Sequence, residues 1–309
     1  RALMIRSILT LFFLLLLNVS YKAQSDALYS QYMFNQFTLN PAYAGSRDAL
    51  SAVLLYRNQW TGIENAPKTI NFSAHSPFHK KNVALGMNIM MDQIGPTSIQ
   101  SLAGTYAYHI KTNHGDLSMG LRSGFISLKS DESMLNFYND QYENNGVVNV
   151  IIPNFDFGMY FFTDIFYAGA SISHILEDNL MLSNNENTLL NFELQRYVSL
   201  ATGGVIEINS NLLYKPSMMV KFTPGFPINY DINSSFLFNK FLWAGLSYRS
   251  TNNIVLLLEW NISDQLRGGY SYDFDLSPLR SSRSGSHELF IGYDFILKKT
   301  LPNVSPKYL

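Results

Sequence analysis

From about residue 47 to residue 297 the chain alternates apolar and polar side chains in runs of roughly ten, separated by Asn, Gly, Asp and Pro. A period of two belongs to a strand with two unlike faces. In 265–274, Leu266, Gly268, Tyr270, Tyr272 and Phe274 form one face, and Gln265, Arg267, Gly269, Ser271 and Asp273 the other. The last run sets Leu289, Ile291, Tyr293, Phe295 and Leu297 against Glu288, Phe290, Gly292, Asp294 and Ile296, with Phe290 and Ile296 out of pattern. Fourteen strands are predicted, beginning near Ala49, Lys68, Val83, Ser98, Asp116, Asn154, Ile165, Leu194, Leu212, Asn229, Phe241, Asn253, Gln265 and His287. Boundaries are least defined between Leu190 and Asn239, where Pro216, Pro224 and Pro227 break the alternation. The Asn-rich stretches 130–149 and 177–191 read as extracellular loops.

Alternation suits a soluble sandwich or a membrane barrel, and strand length separates them. Sandwich strands run about five or six residues; tilted membrane strands need about 9–11, with aromatics at both interfaces. The predicted strands are of the longer kind. Tyr56, Trp60, Tyr106, Tyr108, Tyr248, Trp260, Tyr270 and Tyr272 sit near strand ends in the manner of an aromatic girdle. In lipid every backbone polar group must be paired within the protein, which strands achieve by closing the sheet. The expected fold is an all-β transmembrane antiparallel barrel of about 14 strands, and an even count puts both its ends on the periplasmic side.

Composition sharpens this. Only 15% of the 309 residues are charged and 14% are aromatic, whereas an ordinary soluble domain carries roughly 25% charged residues. The balance of 22 basic and 23 acidic residues gives no footprint for nucleic acid. Zero cysteine excludes disulfides, thiolate metal sites and a lipid-modified cysteine. Arg1 and Arg6 precede the apolar run 8–17, and small or polar residues follow to Ala23 and Gln24, the pattern of a secretory signal cleaved after Ala23. The organisation expected is a signal peptide (1–23), an N-terminal lead-in or plug (24–46), the barrel (47–297) and a short tail (298–309).

Candidate chemistry is sparse. Gly203-Gly204 lacks the helix of a dinucleotide fingerprint. His75 and His79 have helical ligand spacing, but Pro77 lies between them in a strand-like context. Ser173 with His174 and Ser286 with His287 are neighbours on strands, so their side chains point to opposite faces and cannot form a nucleophile and base pair. No catalytic residue, cofactor or metal site is expected. Arg122, Arg249, Glu259, Arg267, Asp273 and Asp294 fall by parity on the lumen face, where buried charges must be paired or wet. Parity alone ranks Arg267→Leu as milder than Leu266→Arg. Asn40-Pro41 and Gly45 make a turn before the first strand, with Phe34, Phe37 and Tyr43 free to pack under the barrel or to enter its periplasmic mouth.

Six blocks, in order, carry a family resemblance: QYMFNQFTLNPAYAGS (31–46), RNQWTGIENAPKTINFSAHSPF (57–78), LAGTYAYHI (102–110), FYAGASISHIL (166–176), LRGGYSYDFDL (266–276) and GSHELFIGYDF (285–295). NPAYAG followed by QWTG and a terminal GSHE is the specific combination, and it resembles the PorP/SprF family of type IX secretion outer-membrane proteins. The resemblance implies an outer-membrane component of secretion or gliding machinery in a Bacteroidetes-type bacterium. Its implied partners are other type IX components and a large, adhesin-like secreted surface protein. It marks Asn40, Pro41, Tyr43, Gly45, Trp60, Gly62 and Pro67 as motif residues for partner contact or plugging. The alternative is a passive or substrate-specific pore; a hydrolase is a third reading.

Overall fold

The computed structural model describes residues 29–78, 82–131, 147–182, 190–276 and 284–295. Its strands are β1 (Leu50–Asn58), β2 (Lys68–Phe78), β3 (Val83–Ile94), β4 (Thr97–Thr112), β5 (Gly115–Asp131), β6 (Val147–Phe162), β7 (Phe166–Ser173), β8 (Asp178–Leu182) and β9 (Leu190–Leu194). They continue as β10 (Tyr197–Gly204), β11 (Ile206–Asn209), β12 (Leu212–Phe222), β13 (Asn229–Phe238), β14 (Leu242–Arg249), β15 (Asn253–Asn261), β16 (Leu266–Asp275) and β17 (Ser286–Phe295). Sequential antiparallel pairing runs from β1 to β7 and from β12 to β17. β1 pairs with β17 and β10 pairs with both β7 and β12, which closes the sheet. β11 continues β10 past Val205 along the same edge of β12, so the fifteen strands of this sheet make a closed barrel of fourteen staves. Pro216 lies inside β12 at the junction, between the Gly203–Ser217 and Ile206–Tyr214 pairs, where its missing N–H leaves the ladder open.

Outward faces are apolar, as at Leu54, Leu102, Leu121, Leu246 and Ile291, each about half exposed in the isolated chain. Tyr56 and Tyr248 stand outward near one rim, and Tyr106 and Tyr108 near the other. Turns at the rim holding the start of β1 and the end of β17 are short: 113–114, 163–165, 210–211, 239–241 and 262–265. The opposite rim carries 59–67, 174–196, 223–228 and 276–285. In outer-membrane barrels short turns face the periplasm and longer loops the cell surface, which orients the molecule.

Two expected boundaries are corrected. β6 starts at Val147, seven residues before Asn154, so residues 130–131 and 147–149 of the loop expected over 130–149 are strand, and 132–146 lie outside the described residues. Here the lumen is itself apolar: Val148 and Ile152 point inward against Ile99, Ile126, Leu128 and Leu194, while Val147 and Ile151 point outward. With oil on both faces, the apolar and polar alternation that marks a strand disappears. The loop expected over 177–191 contains the β8–β9 hairpin. The predicted signal peptide, the tail and His79 lie outside the described residues.

Candidate functional site

An irregular segment has backbone groups that no ladder pairs, so once buried it must find partners in the surrounding wall. Residues 29–46 are such a segment, with single 3-10 turns at Gln36–Thr38 and Pro41–Tyr43. Tyr32, Met33, Phe37, Ala42 and Ala44 are at most 1% exposed. Their contacts lie on inward faces around the barrel, so the chain runs down the lumen from near the long-loop rim to the short-turn rim before entering β1.

At the upper end the Glu288 carboxylate accepts from Ser30 N (2.9 Å), Gln31 N (2.8 Å) and Arg57 Nη1 (3.0 Å). Asp273 accepts from Ser30 Oγ (2.7 Å), Arg57 Nη2 (2.7 Å) and Arg249 Nη1 (3.3 Å), and Arg249 also pairs with Asp231 at 3.0 Å. Below this network Tyr32, Met33 and Phe34 pack among Val53, Leu55, Leu237, Trp243, Val255 and Leu257. Phe290, out of pattern in the sequence, closes the same cluster, its ring centroid 6.2 Å from that of Phe34. Its apolar, inward position is the wall's answer to an apolar segment.

The wall's cations serve the segment's carbonyl oxygens. Arg249 donates to Tyr29 O (3.2 Å), Lys215 to Met33 O (3.4 Å), Arg267 to Phe34 O (2.8 Å) and Arg122 to Thr38 O (3.0 Å) and Phe37 O. Lys215 Nζ lies 5.6 Å from the ring centroids of both Phe34 and Trp243. Arg122 also reaches Asp156 at 3.5 Å, and Arg267 reaches Glu259 at 3.8 Å. Of the six charges singled out in the sequence, Arg249 pairs with Asp273 and Arg267 with Glu259, Arg122, Arg249 and Arg267 bond segment carbonyls, and Asp294 pairs with the Arg47 side chain.

Farther down, Asn40 caps the Pro41–Tyr43 turn by accepting from Ala42 N (2.9 Å), and its Nδ2 donates to Met159 O (2.9 Å) and Ala170 O (3.3 Å). The turn fits because Gly120 and Gly158 line it. A Cβ at Gly120 would lie 2.4 Å from Ala42 N, and one at Gly158 2.0 Å from Asn40 Oδ1. Tyr43 packs edge-on to His75 and Tyr160. Gly45, at φ +77°, donates to His75 Nδ1 (3.1 Å), while His109 Nε2 donates to Ala44 O (2.8 Å). At the foot Arg47 bonds Asp294 at 2.8 Å. Burial lowers the Arg47 guanidinium, but Tyr43 and Asp294 beside it outweigh that and raise it above its usual value, so it stays charged.

Asn40, Pro41, Tyr43 and Gly45 are thus brought together inside the barrel. Trp60, Gly62 and Pro67 are not among them: they build the β1–β2 loop at the long-loop rim, with Trp60 exposed and Gln59 N bonded to Pro67 O at 2.9 Å. That loop meets the β16–β17 connection through Thr61 N to Gly285 O (2.8 Å). The sequence motifs therefore touch: QWTG meets GSHE, GSHE holds the start of the segment, and NPAYAG meets FYAGAS through Asn40 and Ala170. Sequence reasoning missed Arg57, Lys215 and Glu288. Inward parity was the available signal for Arg57 and Glu288, and Lys215 was obscured by the adjacent Pro216.

Ser286 points inward and accepts from Trp60 N (3.2 Å), whereas His287 turns toward Tyr270 on the outer face. The His174 ring bonds Asn154 Oδ1 at 2.7 Å. Among the described residues no group of three His, Cys, Asp or Glu could hold a metal.

Among solved structures the chain is similar to the Acinetobacter baumannii outer membrane protein Omp33, at 9% identity over 80% of this chain and 99% of that one, with a TM-score of 0.48. It is also similar to the CymD monoaromatic hydrocarbon channel, at 11% identity over 89% and 94%, TM-score 0.49. A Pseudomonas aeruginosa FadL homologue gives 12% identity over 83% and 93%, TM-score 0.49. No curated protein matches the sequence. The family model of the type IX secretion system membrane protein PorP/SprF matches residues 21–293, and the chain belongs to that family.

Proposed function

We propose that this outer-membrane barrel is a non-catalytic component of type IX secretion or gliding machinery that supports the secretion or surface attachment of one partner protein. Export by the N-terminal signal (1–23) and a plugging role for the lead-in are part of the proposal. Family membership carries the reading. The lumen supports it over a pore: Arg249, Arg267, Arg122 and Glu288 of the wall are bonded to the chain's own 29–46 segment, which occupies the lumen. A partner is then engaged outside or at the mouths of the barrel. The test is deletion of the gene followed by a quantitative inventory of surface and secreted proteins, with the tagged barrel purified from native outer membranes in mild detergent. Loss of one large surface protein, together with co-purification of type IX components, supports the reading. An unchanged surface inventory and a barrel that purifies alone and conducts ions would put the pore in its place.

A further inference from the structure

The segment does not fill the lumen evenly. On the β2 to β10 side a partly open cavity of about 110 Å³ remains above it, with Thr38 and Leu39 at its floor. The lining reaches from mid-barrel, at Arg122 and Asp156, into the long-loop halves of the strands: Asp92 near the end of β3, Ile99 near the start of β4, Tyr197 at the start of β10, Lys221 near the end of β12. The cavity therefore lies on the cell-surface side of the segment.

Its chemistry narrows the occupant. One wall is apolar, formed by Met90, Ile99, Ile126, Leu194 and Met219. The other is polar: Asn71 and Asn88 bond each other at 3.3 Å, Asn154 bonds Asp156 and His174, and Ser173 and Ser199 add hydroxyls. Ser199 is only 5% exposed and its hydroxyl has no hydrogen-bond partner, a buried group left wanting one. The charges are already engaged. Asp156 accepts from Asn154 (3.1 Å), Arg122 (3.5 Å) and His174 N (3.0 Å); Asp92 accepts from Thr69 (2.6 Å). Lys221 Nζ sits 3.5 Å from the centroid of Tyr197, whose ring also meets His174 edge-on, and the second tyrosine of the lining, Tyr29, belongs to the segment itself. Nothing here calls for a charged ligand or for a flat ring to stack. The volume is smaller than the roughly 150 Å³ apolar cavity known to take a benzene molecule. It suits one or two uncharged side chains on a peptide tip, whose backbone meets the amide wall while its side chain meets the apolar one.

We infer that this vestibule is a receptor pocket for the tip or end of a partner polypeptide, inserted from the cell-surface side with one or two uncharged side chains. The inference rests on the functional reading above and names where the partner is held.

The test uses living cells and a partner defined beforehand as the surface protein lost when the gene is deleted. A photo-crosslinking phenylalanine replaces the cavity-lining Tyr197, which it matches in size so that the cavity stays open, and the lipid-facing Leu200 on the same strand serves as control. The expected result is a crosslink to that partner from position 197 and none from 200. Two cavity-filling variants, Met219→Trp and Ser199→Leu, are scored only where the barrel keeps its folded gel mobility. Each should reduce display of the partner roughly tenfold or more, the scale of one lost anchoring pocket. If deletion removes the partner but position 197 gives no crosslink and a folded, filled variant displays it normally, the pocket assignment is overturned while the functional reading stands. If deletion removes no surface protein, the functional reading itself fails.

Discussion

Glu288→Ala is the sharpest perturbation of the threaded segment. The carboxylate is fully buried, at 0% exposure, and takes two backbone N–H groups of the segment and one Arg57 nitrogen. Truncation leaves Ser30 N and Gln31 N without acceptors, at about 1–3 kcal/mol for each buried orphan. Arg57 keeps Asp273 at 2.7 Å and is not stranded. A total of about 3–5 kcal/mol agrees with the cost of breaking a buried charged pair from one side. The loss falls on docking of the segment's first turn, because no ladder bond of the barrel involves the Glu288 side chain. At about 1.4 kcal/mol per factor of ten, the released population rises by roughly two to three and a half orders of magnitude. Chymotrypsin reads that population, since Tyr29, Tyr32 and Phe34 lie in the released stretch and cleavage of a transiently opened site tracks its population. Cleavage should accelerate by roughly a hundredfold or more in Glu288→Ala. Glu288→Gln, which keeps an acceptor oxygen, should fall between. Arg196→Ala, which removes an exposed pair with Glu177, should stay near wild type. A Glu288→Ala barrel cleaved at the wild-type rate would refute the claim that this carboxylate holds the segment.

Other substitutions test the remaining levels. Gly120→Val should expel the Asn40–Pro41 turn and lower the thermal transition of the detergent-solubilised barrel, whereas Gly104→Ala, with open space around its Cβ, should leave it unchanged. Leu246→Arg places a charge on the lipid face in the middle of β14 and should cost about 2–4 kcal/mol in a bilayer folding titration. At Leu266 and Arg267 the structure reverses the order expected from parity. Leu266 opens β16 beside a short turn, where arginine costs about 0–1 kcal/mol, while Arg267→Leu deprives the Phe34 carbonyl of its donor and the buried Glu259 of its ion-pair partner, at about 3–5 kcal/mol. Because the chain has no cysteine, orientation is testable with single thiols. An impermeant maleimide on intact cells should label Thr251→Cys at the long-loop rim and reach Asn211→Cys only after permeabilisation, and the opposite pattern would invert the molecule in the membrane.

Strand character and the two faces were legible because side-chain direction alternates along a strand from local geometry alone. Arg122, Arg249, Glu259, Arg267, Asp273 and Asp294 were therefore placed on one face by counting. The exceptions were informative in retrospect: Phe290 broke the pattern because Phe34 covers it, and residues 147–153 lost the pattern because apolar side chains line both faces there. What those inward groups meet was not legible. Ser30 and Glu288 are 258 residues apart, and Asn40 reaches Ala170 across 130. The sequence by itself determined an antiparallel barrel with an oily outside and a polar inside, because those properties depend on each residue and its near neighbours. That the inside is occupied by the chain's own residues 29–46, with arginines and a lysine bonding bare backbone carbonyls, was decided only by tertiary structure. An irregular segment has no period to betray it, and its hydrogen bonds exist only once the closed wall surrounds it.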